Sequence, residues 1–391
     1  MTRFVVHEAP VDGPSTHALI VGVGKYPNLI GGDTPCNNPD GMRQLSSPPI
    51  SARALATWFV GDYHDDDKPL ASLALLVSEK DPQPFTNPQT EEAHELEDPN
   101  ADNIEAAIKE FKARADADAG ARLLFYFCGH GISQGEDYAL LTSDFCSDED
   151  NPLQGAIDFR KLTGGFKKCA ASEQVFLVDA CRSNSDVLIG ESEGFAGRVP
   201  LLPGSRPTEL PKRLSATYFA TLAGDKAYSR RDEVSLFTEA LLRSLRGAAS
   251  DNPEEDDWRV NTVRLQEAIS HFMKEPIFAG EVAGVQVPVA NELAEFPLHQ
   301  LTSEPEVPVY VGCDPDIDSN ELAEFVCLVG ADEKGRRKLA DVDPANPKSE
   351  WALSLSHGDY LFRAEFAGGQ ARESNVINVR PIHKRIGLKV P

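Results

Sequence analysis

The chain has 391 residues, more than one ordinary hydrophobic core organises, so two domains are expected. Its formal net charge of −24 excludes a general nucleic-acid binder, which needs a basic face to release counterions, and favours basic partners or basic substrate segments. No apolar run approaches the roughly 18 residues of a membrane span, and the opening MTRFVVHEAPVDG lacks the apolar segment of a signal peptide, so a cytoplasmic protein is expected.

Residues 17–22 (HALIVG) are apolar and predict a first buried strand. The G-V-G-K-Y around its end reads as a tight turn, because the spacing of a phosphate-binding loop is absent. Residues 27–50, rich in Pro, Gly and Asn, read as a loop that holds Cys36, Asn38 and Asp40. Ser51 is placed to cap a helix carrying Leu55, Trp58 and Phe59. Residues 71–77 read as a strand and 81–103 as a surface loop. Residues 101–115 form an amphipathic pattern with Ile104, Ile108 and Phe111 on one face.

Residues 123–128 (LLFYFC) predict a strand that ends in Gly129, His130 and Gly131. A shorter strand at 138–142 and a helix near 159–171 lead to 175–183 (VFLVDACRS), where four apolar residues run into Asp179 and Cys181. Apolar runs bounded by polar residues read as buried parallel strands, and their C-terminal ends are where open α/β sheets carry ligand and catalytic groups. Strands alternating with helices predict a mostly parallel sheet covered on both faces.

Residues 184–213 read as a long exposed loop. A strand at 216–222, a helix at 237–245, an acidic linker at 250–257 and a helix at 263–273 follow. Beyond about Pro305 the pattern changes to period two, at 307–311, 325–329, 351–355 and 360–366. Glu333-Lys334-Gly335 and His357-Gly358-Asp359 read as turns between these runs. Residues 301–391 are therefore expected to be a small all-β, sandwich-like domain, after an α/β domain over 1–300.

The seven cysteines, at 36, 128, 146, 169, 181, 313 and 327, have no zinc-like spacing. Their odd number predicts reduced thiols, most of them small buried hydrophobes. Cys181 and His130 stand apart, because each follows an apolar strand and 51 residues separate them, close to the spacing of caspase-type thiol centres. A thiolate attacks an amide carbonyl, and His130 is placed to take the thiol proton and later protonate the leaving amine. Gly131 has no side chain, so its N–H can approach the developing oxyanion beside that of Cys181. No third, orienting residue is evident. No cofactor is required and no metal site is read. Calcium is a minor expectation, since Asp314, Asp316 and Asp318 mimic a calcium loop whose sixth position is Ser319 and twelfth Phe325.

The segments FCGHG and VDACRS, with HALIVGVGKY before them and ATLAGDKAYS and SLFTEALLRSL after them, resemble prokaryotic caspase-like cysteine peptidases, nearest in flavour to the metacaspases. The resemblance spans roughly 15–275. It implies the caspase–hemoglobinase fold, with about six strands flanked by helices, and a His130–Cys181 dyad. It also implies an acid two residues before the nucleophile, at the floor of a pocket for Arg or Lys, and Asp179 matches it. Cys128 matches a second pocket position. Cys36 and Asn38 match part of a third, where Pro39 replaces the family's acid and Asp40 lies one place late. Asp225 is a further pocket candidate.

Arg198, Arg206, Lys212 and Arg213 lie where caspase relatives are cut between subunits, so they are processing candidates in the 184–213 loop. The resulting expectation is an Arg/Lys-directed endopeptidase acting on proteins. It would be switched on by an upstream protease or a partner, or restrained by an inhibitor protein, in a bacterial defence or cell-death cascade, with no nucleic-acid or membrane partner. The alternatives are a silent caspase-like scaffold whose β-domain binds a partner, and cleavage after Asp, which the carboxylate of Asp179 opposes.

Overall fold

The computed structural model describes residues 3–118, 120–134, 137–181, 183–184, 213–222, 231–252, 257–274, 286–314, 322–330, 332–338, 350–366 and 368–389. Contacts divide the chain into two compact units, residues 1–242 with 269–300 and residues 243–268 with 301–391. The second unit thus takes in 243–268, which precede residue 300.

The first unit opens with strands β1 (Val5–Glu8) and β2 (Thr16–Val23), helix α1 (Ser47–Gly61), β3 (Leu70–Ser78), α2 (Ala101–Asp116) and β4 (Arg122–Gly129). It continues through β5 (Gly131–Gln134), β6 (Asp137–Leu141), β7 (Ala156–Asp158), α3 (Phe159–Phe166), β8 (Glu173–Ala180), β9 (Ser183–Asn184) and β10 (Leu214–Phe219). Helix α4 (Leu236–Arg243) and strand β11 (Val289–Asn291) follow, and helix α5 (Thr262–Phe272) is divided between the two units. The main sheet has seven strands in the order β1-β3-β2-β4-β8-β10-β11. The five inner strands are parallel and the two edge strands antiparallel. A second sheet, β9-β5-β6-β7, continues past the C-terminal ends of β4 and β8.

The inner strands are apolar on both faces because both are covered. Leu19, Val21, Phe125, Phe127, Phe176 and Val178 share one core with Ile104, Ile108 and Phe111 of α2 and Leu162 and Phe166 of α3. The alternate residues Ala18, Ile20, Leu124, Tyr126 and Leu177 are buried on the opposite face, the side of α1, as a period of two requires. Each such Leu or Phe contributes about 1.5–3 kcal/mol on burial.

Two local readings are corrected. Helix α1 begins at Ser47, not after Ser51, because Pro48 and Pro49 occupy its first turn, where the missing N–H groups would have had no intrahelical acceptor. Ser51 lies buried inside the helix and accepts a hydrogen bond from the Ser235 N–H instead of capping.

From β2 the chain moves out to β3 and then crosses back to β4 on the other side. The loops after β2 and β4 therefore open at a topological switch point, where doubly wound sheets hold their ligands.

In the second unit, Ser250–Asp251 pairs antiparallel with Arg259–Asn261. Strands β12 (Glu306–Asp314), β13 (Leu322–Val329), β14 (Asp332–Lys338), β15 (Trp351–Ser356), β16 (Gly358–Phe366), β17 (Ala371–Glu373), β18 (Ile377–Val379) and β19 (Lys384–Lys389) form two sheets. One is β15-β12-β19, and the other is β14-β13-β16-β17 with β18 also paired to β16. Val307, Val309 and Val311 meet Phe325, Cys327, Phe362 and Ala364 in one core, the sandwich that the alternation predicts. Glu333-Lys334-Gly335 is strand and not turn. The reversal falls earlier, where Gly330 takes the positive φ that the turn needs.

Candidate active site

Strands β4 and β8 run parallel with Asp179 opposite Cys128 and Ala180 opposite Gly129. Past their ends, β9 pairs with β5 with Ser183 opposite Ile132. The offset between partners is 51 residues on both sides of the break between the two sheets, the same as the separation of His130 and Cys181, so these two stand at matching positions just past the ends of β4 and β8. Adjacent strands lie about 4.8 Å apart, which puts the two residues within reach of each other. Cys181 is half-buried and takes part in no disulfide.

The backbone of His130 is held at both ends. Its N–H donates to the Tyr26 hydroxyl at 2.8 Å, and its carbonyl accepts from the Leu141 N–H at 3.0 Å. The Tyr26 hydroxyl donates onward to the Leu141 carbonyl, and its ring lies 4.9 Å from the imidazole. Tyr26 is completely buried, and burial pushes its phenol well above the ordinary range, so it stays protonated. Gly129 makes this approach feasible, since a Cβ there would lie 2.8 Å from the Tyr26 oxygen.

The imidazole Nε2 lies 2.7 Å from the backbone carbonyl of Arg43. A carbonyl only accepts, so Nε2 carries the proton and Nδ1 carries the lone pair. Burial holds the His130 pKa below its ordinary value, with the Arg43 carbonyl working in the opposite sense. A neutral imidazole with one nitrogen tied and the other basic can accept a proton from a thiol on the next strand.

The carbonyl of Cys181 is fixed by the Tyr138 hydroxyl, which donates to it at 3.0 Å. Gly131 packs against the same carbonyl, and a Cβ at this position would lie 2.5 Å from the oxygen. The glycine is therefore needed for packing, besides any role of its N–H. Arg43, Tyr26 and Tyr138 went unnoticed in the sequence. A backbone carbonyl leaves no residue signature, and the tyrosines become neighbours of the site only when the strands assemble.

Asp179 is only 4% exposed. Its carboxylate accepts from the hydroxyls of Ser235 and of Thr238, the latter at 2.8 Å, at the N-terminus of α4. Ser235 also caps that helix by accepting from the Thr238 N–H. Burial raises the Asp179 pKa, while Ser235, Thr238, Cys128 and Tyr126 act through hydrogen bonds to lower it. Cys128 is buried beside it, its thiol pushed well up by burial and then by the Asp179 charge.

The loop after β2 departs from expectation. Cys36 and Cys146 form a disulfide, with Cα atoms 6.3 Å apart. The expectation of reduced thiols fails at this pair because 110 residues separate the partners, and only the convergence of loops after β2 and β6 brings them together. Asn37 reinforces the contact through its N–H and side chain, both donating to Glu149. Asp40 is exposed on a turn in which it and Gly41 have positive φ.

Asp225, Arg198, Arg206 and Lys212 lie outside the described residues, as do Asp316, Asp318 and Ser319 of the calcium-loop mimic. Arg213 is described, and its guanidinium donates to the carbonyls of Lys167 and Cys169, a tie that cleavage after it would have to break. Among the described residues no cluster of three His, Cys, Asp or Glu could hold a metal ion, and no helix is long and apolar enough to cross a membrane.

Residues 15–279 match the family model of the caspase domain. A protein of Sinorhizobium fredii, y4kE, itself uncharacterised, is 29% identical over 251 residues, which are 63% of this chain and 70% of that one. A Desulfuromonadales bacterium protein, named a probable protease, is 27% identical over 216 residues, 54% of this chain but only 24% of its own length. Among solved structures, Caspase-1 from Spodoptera frugiperda is similar with a TM-score of 0.41 and 14% identity, covering 74% of this chain and 94% of its own.

Proposed function

The chain belongs to the caspase-domain family of peptidases, and from that premise we propose that it is a cysteine endopeptidase with Cys181 as nucleophile and His130 as base. One observation carries the reading: the 51-residue offset shared by β8–β4 and β9–β5, which gives Cys181 the position matching that of an imidazole whose Nε2 is tied to Arg43. The Cys181 thiol gives its proton to Nδ1 of His130, and the thiolate sulfur attacks the scissile carbonyl carbon. The N–H groups of Gly131 and Cys181 receive the oxyanion. His130 then returns the proton to the leaving amine as the C–N bond breaks. Water, deprotonated by the same imidazole, hydrolyses the thioester and frees the enzyme.

The preferred residue before the cut is Arg, with Lys second. Support comes from the carboxylate of Asp179 two residues ahead of the nucleophile and from an acidic chain that draws basic segments. Activation follows cleavage within 184–213 or the arrival of a partner. The family resemblance alone supports a place in a bacterial defence or cell-death cascade.

Fluorogenic peptides ending in Arg, Lys or Asp test this, with and without calcium and after limited proteolysis of the 184–213 loop. Turnover of the Arg peptide should vanish in Cys181→Ala and fall roughly 30-fold or more in Asp179→Ala, the usual cost of removing one partner of a buried charge pair. Asp179→Asn, which keeps the shape without the charge, separates the pocket from the anchoring of α4. A purely structural Asp179 would lower all three peptides together. Turnover of the Asp peptide alone would overturn the pocket, and silence under every condition would leave the scaffold reading.

A further inference from the structure

The loop between β2 and α1 touches His130 twice, and a single side chain ties the two contacts together. At one end of the loop is Tyr26, whose hydroxyl holds the His130 N–H and whose ring lies against the imidazole. At the other is Arg43, whose carbonyl holds Nε2. Sixteen residues lie between them, including the exposed turn at Pro39 to Met42, where Asp40 and Gly41 have positive φ. Arg43 is itself exposed, so its carbonyl depends on its neighbours for position.

Gln44 supplies that position. Its Oε1 accepts from the Tyr26 N–H at 2.8 Å, and its Nε2 donates to the Tyr26 carbonyl at 2.8 Å. A longer contact from the same nitrogen reaches the Ile30 carbonyl at 3.4 Å. The amide thus pairs with the Tyr26 backbone as a neighbouring strand would, and main-chain bonds from Leu45 to Gly24 and from Ile30 to Met42 flank it. A neutral group with one acceptor and one donor at this reach is required, and of the common side chains glutamine alone carries both at that length.

We propose that Gln44 is a positioning residue for His130: by clamping the Tyr26 backbone it holds the adjacent Arg43 carbonyl on Nε2, and so keeps the imidazole in the tautomer whose Nδ1 lone pair is available to Cys181. This deepens the peptidase reading and rests on it. Gln44 touches neither the thiol nor the imidazole and acts only through the residue beside it. Glutamate in its place would keep the acceptor but turn an oxygen toward the Tyr26 and Ile30 carbonyls. Leucine would remove both bonds, leaving the Tyr26 N–H without its partner and the Tyr26 carbonyl with the Leu29 N–H alone.

The test reads the tautomer directly and needs no turnover. Full-length Cys181→Ala protein, labelled with ¹⁵N and ¹³C at histidine, gives imidazole spectra in which His130 is identified, among the nine histidines, as the signal lost in His130→Gln. At a pH where the ring is neutral, His130 is expected as the Nε2–H tautomer. With Gln44→Leu or Gln44→Glu added, it should become a mixture of tautomers while the other eight histidines keep their signals. In the otherwise wild-type chain, both variants should lower kcat at least tenfold and leave KM within twofold.

Retention of the Nε2–H tautomer in both variants would overturn the proposal, as would finding His130 as Nδ1–H when Gln44 is intact. If Gln44→Leu fails to fold, which the other histidine signals report, Gln44→Glu decides the question. An enzyme inactive toward every peptide would remove the peptidase reading and leave the tautomer result standing by itself.

Discussion

His130 is where two opposing influences on one proton can be weighed. Burial penalises the imidazolium, the Arg43 carbonyl favours it, and burial wins, so the ring titrates below its ordinary 6.5. In the proposed role the imidazole must be neutral to take a proton, and a lowered pKa keeps it neutral further into acid. The acid limb of kcat/KM for an Arg peptide should accordingly have its midpoint below pH 6.5, and a midpoint at 7 or above would mean that the carbonyl outweighs burial or that another group is titrating. Cys181 and His130 were legible at this scale because each ends an apolar strand at a telling separation. The Arg43 carbonyl was not, since every residue has one and only its location matters.

Among the elements, the 24–46 loop departs most from a reading by composition. Its prolines, glycines and asparagines suggest slack chain, yet it is pinned by the Gln44 amide, by the Tyr26 hydroxyl and by the Cys36–Cys146 disulfide. A cross-link closing so long a loop typically stabilises by about 2–4 kcal/mol, chiefly by restricting the unfolded chain. Urea unfolding of Cys146→Ser should show a loss of that size, and a reducing agent should produce the same loss in the wild type but none in the variant. An unchanged midpoint on reduction would mean that the bond does not form in solution. Helix α1 shows the converse error, in which Pro48 and Pro49 resemble loop residues but suit a helix's first turn.

For the whole molecule, the end of the sheet opposite the candidate site is organised by a buried ionic network. Arg122, 1% exposed, donates to Glu173 at 2.8 Å, Asp65 at 2.6 Å, the Tyr63 hydroxyl and the carbonyls of Pro297 and Leu298. Tyr63 in turn stacks with His299, so this cluster fastens the 297–300 segment to the base of the sheet. Arg122→Ala takes the guanidinium from Asp65 and leaves Glu173 with Lys68 alone, and should cost about 3–5 kcal/mol in unfolding experiments. Arg122 begins the strand whose far end leads to His130, about 25 Å away, so the pH profile of the folded fraction should not move. A shifted acid limb would show that the two ends are coupled.

The sequence by itself determined the alternation of strand and helix, the β-rich C-terminal region and the family, and it singled out His130 and Cys181 as the candidate pair. These depend on local periodicity and on short motifs, which a linear reading retains. The tertiary structure alone decided the Cys36–Cys146 pairing, the Arg43 and Tyr26 contacts to His130, and the burial of Asp179 beneath Ser235 and Thr238. Each of these joins residues far apart in the chain through a backbone group, a hydroxyl or a thiol. No periodicity encodes such a meeting; the crossing of the chain from β3 back to β4 creates it.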